Sequence, residues 1–186
     1  IIGIIVYIYI LIDKEKFMAL GKKIVYAICS ENKAKFILRL ATQSNMTFSR
    51  FIGGKILDSF IIGVLTFLIL TIFKMPYILL ISVIIGVTNI IPFFGPFIGG
   101  IPAAIIILFV SPIQALWFVI IIIIIQQIDG NIIGPKILGD SIGISAFWIL
   151  FSLLVAAKFM GFVGMIIGVP LFAIFYSIIK EIIEDK

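Results

Sequence analysis

The chain contains 186 residues, of which 63% are hydrophobic, and it has a mean hydropathy of +1.36 and a formal net charge of +5. A soluble domain contains about 45–50% apolar residues. A chain of this length cannot bury so much apolar surface in water, so the composition predicts an integral membrane protein. Its apolar runs are continuous rather than alternating, which favours a helical bundle over an outer-membrane barrel.

The chain begins with a short apolar segment, residues 1–12, which is followed by a basic segment, residues 13–55. Residues 1–12 are predicted to be the end of a truncated transmembrane helix, because at about 1.5 Å per residue they are too short to cross a hydrocarbon core about 30 Å thick. Residues 13–55 carry nine of the 14 basic residues and three acids. Short basic segments between spans stay on the cytoplasmic side. We therefore predict a cytoplasmic, amphipathic helical segment on the membrane surface, with a solvated helical loop as the alternative, and no nucleic-acid partner.

Residues 56–183 are predicted to form one transmembrane transport domain that begins with a span over residues 56–73. The next uncharged run, residues 75–110, would be about 54 Å long as one helix, far longer than the hydrocarbon core is thick. It must fold back, and the only turn chemistry available lies between Pro92 and Gly100. The stretch "TNIIPFFGPFIGGIPA" is therefore the predicted tip of a helical hairpin.

A second hairpin follows one more span. Residues 113–128 are predicted to cross the membrane, and the polar segment 129–143 is predicted to be a loop in which Asp140 and Ser141 cap the next helix. Residues 144–179 then form two apolar arms around the turn "GFVG", and the charged tail "KEIIEDK" ends the chain.

The two hairpins resemble each other in sequence. Alignment with small gaps pairs Ser82 with Ser152, Gly95 with Gly164, Gly99 with Gly168, and Pro102 with Pro170. If residues 13–55 are inside, the first hairpin starts from the outside and the second from the inside. The sequence therefore predicts an all-α membrane protein with two Pro/Gly-broken hairpins in an inverted repeat, an arrangement found in many secondary transporters.

The break in the first hairpin directs attention to a few polar residues. Backbone groups freed inside the membrane must be buried by protein or hydrated in a cavity, so the tip predicts a site; an ordinary surface turn is the alternative. Thr88 and Asn89 lie just before the break. They are predicted to contact a solute or ion, or else to cap the broken helix or bond across helices. Asp129 ends the following span; it binds a cation or carries a proton, or else caps the loop or pairs with Lys136.

Asp58 is the other carboxylate that falls within a predicted span. It lies three residues after Lys55 on one helix face, which predicts an intrahelical ion pair. A role of Asp58 and Asp129 in proton coupling is the functional alternative.

Three stretches resemble the signature sequences of the autoinducer-2 exporter family of bacterial membrane proteins: "TNIIPFFGPFIGGIPA", "QQIDGNIIGPKILGDSIGIS" and "GFVGMIIGVPL". They occur in order over residues 50–180. The resemblance implies a multi-pass homo-oligomeric transporter of the bacterial inner membrane that exports autoinducer-2, or in some members a sodium/proton antiporter. Together with Thr88, the motif positions predicted to bind solute or ion are Asn89, Pro92, Gly95, Pro96, Gln127, Asp129 and Asn131. Those predicted to shape the hairpins are Gly99, Gly100, Pro102, Pro135, Gly161, Gly164 and Pro170, and the motif also includes Gly139 and Ser141.

The chain departs from the family pattern at a few positions. Lys136 stands where arginine is common, Ala156 and Ala157 stand where glycines are frequent, and Lys158 replaces a small apolar residue. Because alanine is larger than glycine, the two alanines predict looser packing between the arms of the second hairpin than the family pattern implies.

The functional prediction is a secondary transporter that exports a small polar solute. A sodium/proton antiporter is the first alternative, and a passive channel or structural membrane protein is the second. The expected partners are the lipid bilayer and a small polar solute or cation. The absence of histidine removes His-based catalysis and metal sites, and no Gly-rich phosphate loop is present. We therefore expect no enzymatic activity, no cofactor and no metal.

The charge distribution predicts the topology. Residues 13–55 and 180–186 should both be cytoplasmic, because an even number of crossings separates them whether each hairpin spans the membrane or only enters it. Cysteines introduced at positions 33 and 186 should react with a membrane-impermeant thiol reagent only from the inside. Labelling of either position from the outside would contradict the inverted arrangement.

Overall fold

The computed structural model describes Tyr9, residues 12–138 and residues 145–184. Every element in this part of the chain is helical, and the prediction of an all-α membrane protein is confirmed. Most of the predicted helix end at residues 1–12 lies outside the described residues, and so do Gly139, Asp140 and Ser141. The chain divides into two compact units, Ile1–Met46 and Thr47–Lys186.

The first unit is built from α1 (Lys14–Ile28) and the beginning of α2 (Glu31–Ile72). Helix α1 has no buried residues; its apolar side chains Phe17, Leu20 and Ile24 are exposed and alternate with lysines along the helix. Such a helix is typical of a segment that lies against a membrane surface.

Helix α2 continues through the polar residues 42–49 and on through residues 55 and 56. The Thr42 hydroxyl donates to the carbonyl of Leu38 at 2.9 Å. This local bond satisfies the side chain without ending the helix. The predicted basic segment and the predicted first span are therefore parts of one helix.

The second unit contains the remainder of α2 and six further elements. These are α3 (Ile78–Thr88), α4 (Gly95–Leu108), α5 (Pro112–Ile128), a π-helix (Asp129–Ile133), α6 (Gly134–Leu138) and α7 (Ala146–Glu184). Among the described residues, three helical stretches are long and apolar enough to cross a membrane: Glu31–Ile72, Pro112–Ile137 and Phe147–Lys180.

The first hairpin consists of α3 and α4, and its break falls at residues 89–94. Phe93 adopts a left-handed backbone conformation there, with φ 62°. The two arms pack closely: a Cβ built on Gly95 would overlap the carbonyl of Thr88, and one built on Gly99 would overlap the Thr88 side chain. Gly99, Gly100 and Pro102 lie inside α4, after the turn.

The second hairpin is formed by α7, which reverses at Gly161, where φ is 57° and ψ is −135°. A Cβ on Gly164 would overlap the carbonyl of Ala156, and one on Gly168 would lie 3.1 Å from the carbonyl oxygen of Ser152. In a straight helix Ser152 and Gly168 would be about 24 Å apart, so the arms fold back on each other. Ala156 packs against both glycines.

The two hairpins share a packing pattern. In each, two glycines four residues apart lie against two residues four apart on the preceding arm. This is the small-residue packing typical of membrane helices. The inverted orientation of the two hairpins stays a prediction.

Helices α2 and α3 cross at very close range. A Cβ on Gly86 would lie 3.1 Å from the Gly63 Cα and 3.2 Å from the Ser59 carbonyl oxygen, while one on Gly63 would lie 3.5 Å from the Ser82 carbonyl oxygen. The crossing therefore joins two Ser-x-x-x-Gly faces, again the small-residue packing of membrane helices. Buried aliphatic side chains of α2 to α5 surround it, including those of Ile62, Ile81, Ile85, Ile107 and Ile125.

The packing of the first hairpin predicts the effect of a single methyl group. Gly95→Ala should lower the stability of the protein by about 1–3 kcal/mol, because the new methyl group meets backbone atoms that cannot rotate away. Gly53→Ala is the matched control, since a Cβ there meets nothing within 4 Å. Thermal unfolding of the two purified variants in detergent tests this, and equal midpoints would contradict it.

Candidate functional site

The site begins on α2, just before the crossing with α3. Lys55 and Asp58 lie three residues apart on one helix face, and the Lys55 Nζ lies 2.5 Å from the Asp58 Oδ2. Both side chains are buried, Lys55 at 7% and Asp58 at 0% exposure. The predicted ion pair is therefore present, but it lies inside the protein rather than at a surface to which the side chains could reach.

Asn89 connects this pair to a second carboxylate. It follows the last residue of α3, where the helix breaks, and its side chain is 3% exposed. Its Nδ2 donates to the Asp58 Oδ2 at 3.3 Å and to the Asp129 Oδ2 at 3.4 Å. One amide group thus holds two acidic side chains from different helices, and these four residues, Lys55, Asp58, Asn89 and Asp129, form what we call the polar cluster.

Asp129 is positioned by the π-helix that follows α5. The N–H of Gly134 donates to the carbonyl of Asp129, five residues back. Pro135 cannot donate a backbone hydrogen bond, and its ring would clash with the carbonyl four residues earlier in a regular α-helix. The wider turn accommodates this proline and directs the Asp129 side chain, at 9% exposure, toward Asn89. Single π-helical turns are frequent at functional sites.

Several polar atoms of the cluster lack a partner within the described part of the chain. The Oδ1 atoms of Asp58 and Asp129 are buried and accept no hydrogen bond, and the Nε2 of Gln126 nearby makes none. A buried carboxylate without sufficient donors is costly. Carboxylate oxygens that remain free in this way can accept a proton or coordinate a cation.

The polar cluster lies on the wall of a cavity of about 830 Å³. The ionisable side chains that line it among the described residues are Lys55, Asp58 and Asp129, joined by the amides of Asn89, Gln126 and Gln127. The remaining walls are mostly apolar and come from α2, α4, α5, α6, the hairpin tip and α7. They include Pro92, Phe93, Pro96, Phe97, Gly100, Phe118, Ile122, Pro135 and Ile149. The cavity is thus apolar with one charged region.

The structure brings some of the sequence-predicted residues together and places others elsewhere. Asn89, Pro92, Pro96, Gln127 and Asp129 all line the cavity, as does Asp58.

Three other candidate residues, Thr88, Gly95 and Asn131, are not among the residues that line the cavity. Thr88 donates to the carbonyls of Ile84 and Ile85 and packs against Gly99, so it lies within the hairpin. Gly95 is buried against Thr88. Asn131 is exposed, and its Nδ2 bonds the Gln127 carbonyl at 2.8 Å and the Gln127 side chain at 3.1 Å.

Sequence reasoning gave too small a role to two cavity residues. The sequence predicts Lys55 only as the ion-pair partner of Asp58, and Gln126 is not among the predicted site residues. A signal did exist for Lys55, because it is three residues before a carboxylate inside an otherwise apolar helix. Asp129 faces Asn89, whereas Lys136, with which the sequence predicts it to pair, is exposed.

Comparison with known proteins gives one consistent result. The family model described as AI-2E family transporter matches residues 1–184. The candidate transport protein YueF of Bacillus subtilis (strain 168) is 32% identical over 176 residues, which cover 95% of this chain and 47% of YueF. YrrI of the same strain, also named a candidate transport protein, is 35% identical over 159 residues, covering 86% of this chain and 45% of YrrI.

A more distant relative is the candidate transport protein YhhT of Escherichia coli (strain K12), which is 28% identical over 124 residues, or 66% of this chain and 36% of YhhT. The chain spans about half the length of the first two curated relatives. No solved structure matches it.

Proposed function

The chain belongs to the AI-2E transporter family, and from that premise we propose that it contributes the transport site of a multi-pass secondary transporter in the bacterial inner membrane. The observation that carries the proposal is the polar cluster. It lies where α3 breaks and where α5 gives way to a π-helix, and it opens onto a cavity of about 830 Å³. Broken helices that present backbone ends and buried polar groups to a cavity are typical of secondary transporters.

The proposed solute is small and polar, like autoinducer-2, and the proposed direction is export. Support for both comes from the signature stretches and their family resemblance. The amides of Asn89, Gln126 and Gln127 provide hydrogen-bonding groups for such a solute along the cavity wall. A passive channel or a structural membrane protein would not require a buried ion pair beside a helix break.

Sodium/proton antiport is the second candidate function. It is favoured by a specific observation: two buried carboxylates, Asp58 and Asp129, share one amide donor, and each has one oxygen without a hydrogen-bond partner among the described residues. Antiport of this kind needs a titratable carboxylate within the membrane that exchanges a proton for a cation. Asp129 suits this role better than Asp58, because it has no ammonium ion paired with it in the described structure.

The proposed partners are the bilayer and further copies of the chain. Many large apolar side chains of the second unit are exposed, among them Phe60, Phe97, Phe109, Ile113 and Phe159. Hydrocarbon or a second subunit would cover such surfaces in a membrane. The predicted homo-oligomer rests on the family resemblance.

Substitution of two cluster residues tests the proposed function. Asn89→Ala and Asp129→Asn should each reduce solute flux by about tenfold or more, because the first removes the amide that joins the two acids and the second removes the ionisable carboxylate. Flux is measured in proteoliposomes of the full-length protein, with autoinducer-2 and related polar solutes, with and without sodium and pH gradients. Insertion and assembly should be unchanged.

The outcomes separate the alternatives. Parental flux in both variants would place the site elsewhere. Failure of both to assemble would assign the residues a structural role. Loss of only the pH dependence in Asp129→Asn would favour the antiporter over the solute exporter.

A further inference from the structure

The polar cluster carries an imbalance of charge. It contains one ammonium group, on Lys55, and two carboxyl groups, on Asp58 and Asp129, while Asn89 is neutral. With both acids ionised, the formal charge is therefore −1. All four residues are at most 9% exposed. Because an uncompensated charge in the protein interior is strongly unfavourable, the cluster must take up one further positive charge.

The donors within the cluster are unevenly distributed. The Asp58 Oδ2 receives two of them, from Lys55 at 2.5 Å and from Asn89 at 3.3 Å. The Asp129 Oδ2 receives only the Asn89 amide, at 3.4 Å. The Oδ1 atoms of both acids are buried and without partners in the described structure. An added positive charge would therefore bind at the two carboxylate oxygens that have no partner and not near Lys55.

The surroundings also favour a cation over an anion. Helix α3 ends at Thr88, next to Asn89, so the negative end of its dipole lies beside the cluster. Gln126 and Gln127 line the same cavity with neutral amide side chains, of which the Gln127 Oε1 also accepts from Asn131. Carboxylate and amide oxygens are the ligands that hard cations prefer.

We propose that the Lys55 ammonium group sets the charge selectivity of the Asp58–Asp129 pair, so that the site takes one monovalent cation, and that removal of this ammonium group converts it into a site for a divalent cation. With Lys55 present, a monovalent ion brings the cluster to neutrality, whereas a divalent ion leaves a buried charge of +1. Without the ammonium group the carboxylates carry −2, and a divalent ion becomes the neutralising one. Lys55 is thus a built-in counter-ion that determines which cations the carboxylates accept.

The inference rests on the second candidate function, sodium/proton antiport, in one respect: the polar cluster binds a cation. Its test is an equilibrium binding measurement, which does not require transport. Purified full-length protein in detergent is titrated with sodium chloride or magnesium chloride at one pH, with choline chloride holding the ionic strength constant. Binding is followed by calorimetry and by the rise in the thermal unfolding midpoint.

A series of variants changes the formal charge in known steps. Lys55→Met keeps most of the side-chain volume and gives −2, so the ratio of magnesium to sodium affinity should rise by at least about tenfold. Asp129→Asn gives 0, and sodium binding should be lost. The double variant Lys55→Met/Asp129→Asn returns to −1 and should again bind sodium in preference to magnesium. Lys55→Arg keeps the charge and should keep the sodium preference.

The matched control is Lys35→Met. It removes an ammonium group from an exposed pair with Glu31, in which the two side chains are 2.6 Å apart. Both ion affinities should stay at their parental values in this variant.

Three results would overturn the proposal: a parental protein that does not bind sodium, a Lys55→Met variant that keeps the parental preference, or an Asp129→Asn variant that binds sodium as well as the parent does. Should Lys55→Met fail to fold, the charge-matched double variant and Asp129→Asn decide the question. Flux of solute by a protein that binds no sodium would refute this inference while leaving the proposed transport intact.

Discussion

The crossing of α2 and α3 at Gly63 and Gly86 is the contact on which the candidate site depends. Apolar side chains gain little by leaving lipid for protein, so membrane helices associate through close packing of small residues. Here a built Cβ on either glycine approaches the backbone of the other helix to 3.1–3.3 Å. Asp58 lies just before this contact on α2 and Asn89 just after it on α3, so the short interhelical distance brings the amide within reach of the carboxylate. A larger residue at Gly63 or Gly86 would push α2 and α3 apart, and this would separate Asp58 from Asn89 without any direct contact between the new side chain and the polar cluster.

At the break in the first hairpin, Asn89 both ends helix α3 and belongs to the polar cluster, two roles that the sequence offered as alternatives. Asn89 occupies the position at the end of α3 where a capping residue is expected, and its own N–H still bonds the Ile85 carbonyl. Its side chain, however, does not cap the helix; it joins Asp58 to Asp129. Because α3 ends at Thr88, the Asn89 side chain can turn toward the cavity wall, where its amide donates to both carboxylates. The same arrangement keeps two acids away from lipid, where an ionised group is costly.

The predictions from sequence succeeded where length and backbone chemistry decide the structure. An apolar run too long for one span, interrupted by Pro92, Gly95 and Pro96, had to fold back, and the glycine in "GFVG" marked the second reversal. Polarity was a weaker guide: residues 42–49 remain helical because a helix can satisfy hydroxyl groups locally. The π-helix at Asp129 and the pairing of one amide with two acids depend on packing among three helices, which no local pattern specifies. Gly99 lies within α4 for the same reason, since the neighbouring arm and not the turn requires a small residue there.

An internal counter-ion also has a consequence for how a transporter of this kind would cycle. A secondary transporter must change conformation both with its ion bound and without it, and a large difference in buried charge between the two forms would make one of them too costly to populate. With two carboxylates alone, loss of a monovalent ion would change the buried charge from −1 to −2. With Lys55 in place, the change is from 0 to −1, and a single proton on Asp129 restores neutrality. The lysine thus keeps both forms of the proposed site close to neutral, and it does so from within α2, the helix whose crossing with α3 brings Asn89 to the carboxylates.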